Sequence, residues 1–72
     1  MKEKNITEWT IIFKDNEEFF TENEFEYNEK IQELKENNKI DTIYQAYMKD
    51  YEWNELIEDY QEINVEILID NI

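Results

Sequence analysis

The chain has 72 residues, with 20 acidic side chains against seven lysines, no histidine and a net charge of −13. It also has no cysteine, glycine or proline. This excludes disulfide staples, thiolate and imidazole metal sites, and the glycine-dependent loops of Walker-type and dinucleotide-binding motifs.

Apolar residues make up 40% of the chain and aromatics 15%. That is enough for one small, marginally stable domain spanning residues 1–72. No apolar run approaches the roughly 18 residues of a membrane span. The opening MKEKNITEW lacks a signal-peptide core, so a cytoplasmic location is expected.

Taken in chain order, EWTIIFK (Glu8 to Lys14) alternates Trp9, Ile11 and Phe13 on one face and reads as a strand. Asp15-Asn16 reads as a tight turn, because both residues tolerate left-handed backbone angles. EEFFT (Glu17 to Thr21) then returns as the second strand of a hairpin.

Thr21 with Glu24 three residues on is a capping-box pattern. The helix that follows buries Tyr27, Ile31 and Leu34, and Asn37 and Asn38 stand in for a C-terminal glycine. Between Ile40 and Tyr51, residues Ile40, Ile43, Tyr44, Tyr47, Met48 and Tyr51 fall on one helical stripe, although TIYQAYM is also good strand material. The helical reading is preferred there. Trp53, Leu56, Ile57 and Tyr60 form a second helical set on roughly the opposite side, which predicts a break near Asp50 to Glu52.

EINVEILID (Glu62 to Asp70) is the clearest strand, with Ile63, Val65, Ile67 and Ile69 on one face packed against helices. The expected fold is a single α+β domain: a three-stranded, largely antiparallel sheet covered by two or three helices. The tyrosines Tyr44, Tyr47 and Tyr51, with Trp9 and Trp53, are expected in its core.

The charge is patterned. On a helical wheel Glu22, Glu26, Glu29, Glu33 and Glu36 fall within a sector about 80° wide, in a row roughly 21 Å long. Phosphates on a nucleic-acid strand are spaced comparably, and duplex DNA carries about one charge per 1.7 Å of axis. Like charges at i, i+4 destabilise a helix, so stability does not explain the row. Phe25 sits beside it as a candidate contact. Glu52, Glu55, Asp59 and Glu62 form a second acidic row on the C-terminal helical segment. The plain alternative is that both rows are simply solvated faces.

No other chemistry is on offer. Carboxylate pairs such as Glu17-Glu18 and Glu58-Asp59 are expected by chance among twenty acids. No glycine-centred calcium loop occurs. The chain is expected to be no enzyme, with no cofactor, no catalytic residue and no dedicated metal site. Net charge of this size repels nucleic acid and anionic membrane, so the expected partner is a basic protein, bound by a monomer or homodimer.

In size, charge, the Glu22/Glu26/Glu29/Glu33/Glu36 row and the lack of a catalytic set, the chain resembles small acidic proteins of phages and mobile elements that block host defence. These include DNA-mimicking anti-restriction proteins and several anti-CRISPR proteins. The resemblance is one of type, without a shared motif. It implies an inhibitor that occupies the nucleic-acid channel of a host CRISPR or restriction effector, acting in the host cytoplasm. Two alternatives stay open: an acidic immunity protein or antitoxin against a basic nuclease toxin, and an accessory or oligomerisation domain whose charge only solubilises it.

Overall fold

The computed structural model describes residues 5–69. Strand β1 (Ile6–Phe13) turns back into β2 (Glu18–Thr21) through the expected Asp15-Asn16 turn. The Asp15 carboxylate accepts from the Glu17 amide at 3.0 Å. Asn16 takes a left-handed backbone, φ 74°, and its N–H donates to the Phe13 carbonyl at 2.9 Å.

Helix α1 (Glu24–Glu36) follows, but its cap is not Thr21. Asn23 is the N-cap, its side-chain oxygen accepting from the Glu26 amide at 3.2 Å. Thr21 stands two residues outside, accepting from the Asn23 amide at 3.1 Å and donating to the Glu26 carboxylate at 2.7 Å. Asn competes well with Thr at an N-cap, and Glu26 is the acid three residues after it. The helix ends as its two asparagines imply. Asn38 adopts φ 58°, and Lys39 N–H reaches back to the Leu34 carbonyl at 2.8 Å, a Schellman closure without glycine.

The second half of the chain corrects the sequence reading. After one 3₁₀ turn (Ile40–Thr42), Ile43–Asn54 is a twelve-residue strand, β3, and Asp59–Ile67 is β4. Among the described residues the architecture is a four-stranded antiparallel sheet in the order β2-β1-β3-β4 with one α-helix. It is not three strands under two or three helices. Residues 52–62, read as helical, are the ends and turn of the β3-β4 hairpin. No break occurs near Asp50: the strand runs on, and the ladder shifts register between Asp50 and Tyr51. Tyr47 and Tyr51 are four residues apart, which fits a helix turn and is also a multiple of the strand's period of two. That coincidence hid the strand. Trp53 and Tyr60, seven apart, meet across the hairpin with ring centroids 5.1 Å apart in a T-shaped pair.

One side of this sheet carries the core. Cross-strand partners share a face, and the register Phe19–Ile11–Ala46 and Thr21–Trp9–Met48–Glu66 defines the side under α1. Trp9, Ile11, Ile43 and Ala46 are buried there against Tyr27 and Leu34 of α1. Trp9 stacks on Tyr27 at 6.3 Å. Ile31, Met48 and Leu68 complete the packing.

Among the described residues β1 pairs β3 as far as Tyr51, and the β3-β4 ladder continues for three further residues of each arm, about 10 Å. At the tip Glu58 holds φ 52° in a chain that has no glycine for such positions. A left-handed backbone costs a non-glycine residue about 1 kcal/mol or more.

Two stability outcomes follow. Ile11, with none of its surface exposed, is the centre of the single packed face; Ile11→Ala is expected to lose about 2–5 kcal/mol in urea unfolding, and a loss below about 1 kcal/mol would place the core elsewhere. Glu58→Gly is expected to gain about 1 kcal/mol over a Glu58→Gln control that removes only the charge.

Candidate functional site

Along the outward side of α1, Glu26, Glu29, Glu33 and Glu36 are exposed, three and four residues apart. The helical rise places them over about 15 Å. Glu22 is exposed too, but it lies in the approach to the N-cap and is not part of the helical row. Three of the four helical carboxylates have local partners. Glu26 accepts from Thr21, Glu33 pairs with Lys30 at 3.6 Å, and Glu36 accepts from the Gln32 amide at 3.2 Å. Lys30 also lies 5.6 Å over the Phe19 ring, which closes the β2 side of the helix. Phe25 in the first turn is 67% exposed and free of the core.

The second acidic row does not exist as a row. Glu55 sits in the hairpin turn, while Glu52 and Asp59 face the helix side of the hairpin, and Glu62, opposite Tyr51, faces the other. Strand alternation separates what helical spacing would have aligned. Asp50 and Glu66 share the side of Glu52 and Asp59, so carboxylates from both arms join those of α1 on one side of the sheet.

The opposite side is largely apolar and, among the described residues, has no helix over it. Alternation and register bring Ile6, Ile12, Phe20, Tyr47, Val65 and Ile67 to it, and Tyr51, Trp53, Tyr60 and Ile63 continue it toward the hairpin tip. Phe20, Ile63, Val65 and Ile67 each leave about half their surface open. Here the expectation for the last strand is reversed for three of its four residues: Ile63, Val65 and Ile67 point away from the helix, and Leu68 and Glu66 lie toward it, while Ile69, past the end of β4, packs against the core as expected. Of that strand's assigned residues, Asp70 falls outside the described range. Tyr47, Tyr51 and Trp53 are likewise half-buried on the open side and outside the core, and Tyr44 is exposed. The signal in the sequence was an excess: a sheet with isoleucines on both faces has more apolar surface than one helix can cover.

Two further apolar features lie off this face, one at the hairpin tip and one on the helix side of the sheet. Leu56 at the hairpin tip is 94% exposed, beside an exposed Ile57. A groove of about 570 Å³ runs between α1 and β3-β4, floored by Trp9, Tyr27, Ile31, Met48 and Leu68 and edged by Glu24, Lys35 and Glu66. Among the described residues no group of three or more His, Cys, Asp or Glu is placed to hold a metal ion, and no helix is long and apolar enough to cross a membrane.

Two tyrosines report the environment. Burial pushes the Tyr27 hydroxyl pKa up. Tyr51 is also raised, by desolvation and then by the carboxylates of Glu8 and Glu62, with Lys49 partly opposing. For both groups the folded state holds its proton longer than the unfolded chain. Their contribution to stability is therefore complete below the ordinary tyrosine value of 10.0 and is lost as pH rises through the raised value. Ultraviolet titration of the five tyrosines is expected to show a late phase that Tyr27→Phe and Tyr51→Phe together remove; a single phase would contradict the placement of both.

No family model matches the chain, and neither the curated proteins nor the solved structures give a match.

Proposed function

We propose that this chain is a non-catalytic binding protein whose acidic side engages a basic protein surface that handles nucleic acid. Its carboxylates would stand where phosphates lie. The observation that carries the reading is the outward side of α1. Four exposed glutamates are stacked there at three- and four-residue steps, and Lys30–Glu33 is the one ion pair among the described residues. Like charges at this spacing destabilise a helix by a few tenths of a kcal/mol per pair, and α1 is held to the sheet by Tyr27 and Leu34 without them.

Glu22 extends the acidic side beyond the helix N-terminus, and Phe25 offers an apolar anchor beside it. Asp50, Glu52, Asp59 and Glu66 add charge from the hairpin on the same side of the sheet. Glu55 and Glu62 belong to the turn and to the other face, and contribute through the overall field. A net charge of −13 steers a basic partner toward the chain and weakens that association as salt rises. The reading is competitive inhibition. The partner class to which the resemblance points is a host CRISPR or restriction effector, blocked at its nucleic-acid channel.

The test is capture from host lysate followed by competition. Bound proteins are expected to be nucleic-acid-handling, to leave the chain on addition of duplex DNA, and to leave it with rising salt. Glu22, Glu26, Glu29, Glu33 and Glu36→Gln together are expected to weaken the captured interaction by roughly tenfold or more, from exposed charge contacts of about 0.2–1 kcal/mol each. Glutamine at residue 26 keeps an acceptor for Thr21, so the fold is retained. Equal binding by the folded five-Gln variant at low salt would remove the helix row from the contact surface.

A further inference from the structure

We infer that the open side of the sheet is a self-association surface, covered in solution by the same side of a second copy, sheet against sheet. Three observations lead there. The first is chemistry: Phe20, Tyr47 and Ile67 lie in one row across all four strands, broken only by Thr10, with Ile12 on one side of the row and Val65 on the other, while Ile6 and Tyr51 lie beyond the charged Glu8–Lys49 pair. Exposed apolar area gathered in this way marks an interaction site.

The second is where the charge is not. Open-side strand positions carry Glu8, Glu18 and Glu62 against Lys49, net −2, which leaves −11 of the chain's −13 elsewhere. A basic partner is drawn to the helix side. This side suits a partner as apolar and nearly as neutral as itself.

The third is size. Strands of 8, 4, 12 and 9 residues give a projected sheet area of about 500 Å² at a rise of about 3.3 Å and a spacing of about 4.8 Å. Side-chain relief raises the accessible area toward the roughly 800 Å² per partner of a standard interface.

Repulsion between two such acidic copies is the obvious objection, and the geometry answers it. Stacked sheets pack about 10 Å apart, and each α1 lies a further layer of about 10 Å outside its own sheet. The two glutamate rows then face outward about 30 Å apart, several times the screening length of about 8 Å at physiological salt. Joining edges instead, β4 to β4, would bring Asp59, Glu62 and Glu66 of one copy alongside those of the other. Stacking faces avoids that.

Sedimentation or light scattering of the purified chain at about 100 μM is the experiment. A particle of twice the monomer mass is expected, and its association should strengthen as salt rises from about 10 to 150 mM, where the screening length falls from about 30 to 8 Å. Binding to a basic partner moves the opposite way with salt, so the two associations fail separately. Val65→Lys with Ile67→Lys lowers the net negative charge yet is expected to weaken self-association at least about a hundredfold, with the circular dichroism of the fold retained. Phe20→Lys, on the far strand of the sheet, is expected to weaken it as well. A wild-type chain that stays monomeric throughout overturns the inference. So does a dimer indifferent to Phe20→Lys, which would be joined by the β4 edge.

Discussion

One helix packs on a four-stranded sheet, and it can cover only one side. The rest of the molecule follows from that constraint. The buried set of Trp9, Ile11, Ile43 and Ala46 with Tyr27 and Leu34 sits entirely between α1 and the sheet. The register that places Ile11 against Ala46, and Met48 against Glu66, also commits Tyr47, Val65 and Ile67 to the uncovered side. With a strand period of two, a slip of one residue would exchange the faces. The fold therefore decides at once which side is acidic and which is apolar.

This partition gives the charge a different meaning from its total. A net −13 on so short a chain opposes compaction. The structure accommodates it by keeping most carboxylates on the helix's outer face, on the helix side of the β3-β4 hairpin and in turns, with Glu8, Glu18 and Glu62 the exceptions on the open side. Within α1, Glu26 is held by Thr21 and Glu33 by Lys30, so some of the acid also has a local role in the start of the helix and its β2 flank. The row is both a scaffold detail and a surface.

The first half of the chain was legible in its sequence. Trp9, Ile11 and Phe13 alternate cleanly, Asp15-Asn16 makes the turn, and Tyr27, Ile31 and Leu34 mark the buried face of α1. The cap slipped by two residues because Thr21 and Asn23 are both competent N-caps, each with an acid three positions on. The second half was not legible, for two physical reasons. A spacing of four residues satisfies helix and strand alike, so Tyr47 and Tyr51 gave no decision. Trp53 and Tyr60 imitate a helical i, i+7 pair while meeting across a hairpin. Of the proposed contact residues, Glu26, Glu29, Glu33 and Glu36 fall together as expected, with Phe25 exposed beside them. Glu52, Glu55, Asp59 and Glu62 are dispersed by the strand. The open apolar side went unseen because periodicity identifies an apolar face without saying what covers it.

The central claim is the orientation of β4, since it separates the acidic side from the apolar one. Nuclear Overhauser contacts from the methyl groups of Val65, Ile67 and Leu68 test it directly. Leu68 is expected to show contacts to Trp9 and Tyr27, while Ile67 contacts the Tyr47 ring and Val65 the Lys49 side chain. Contacts from Val65 or Ile67 to Tyr27 or Ile31 would put the apolar strand face under the helix and contradict the account.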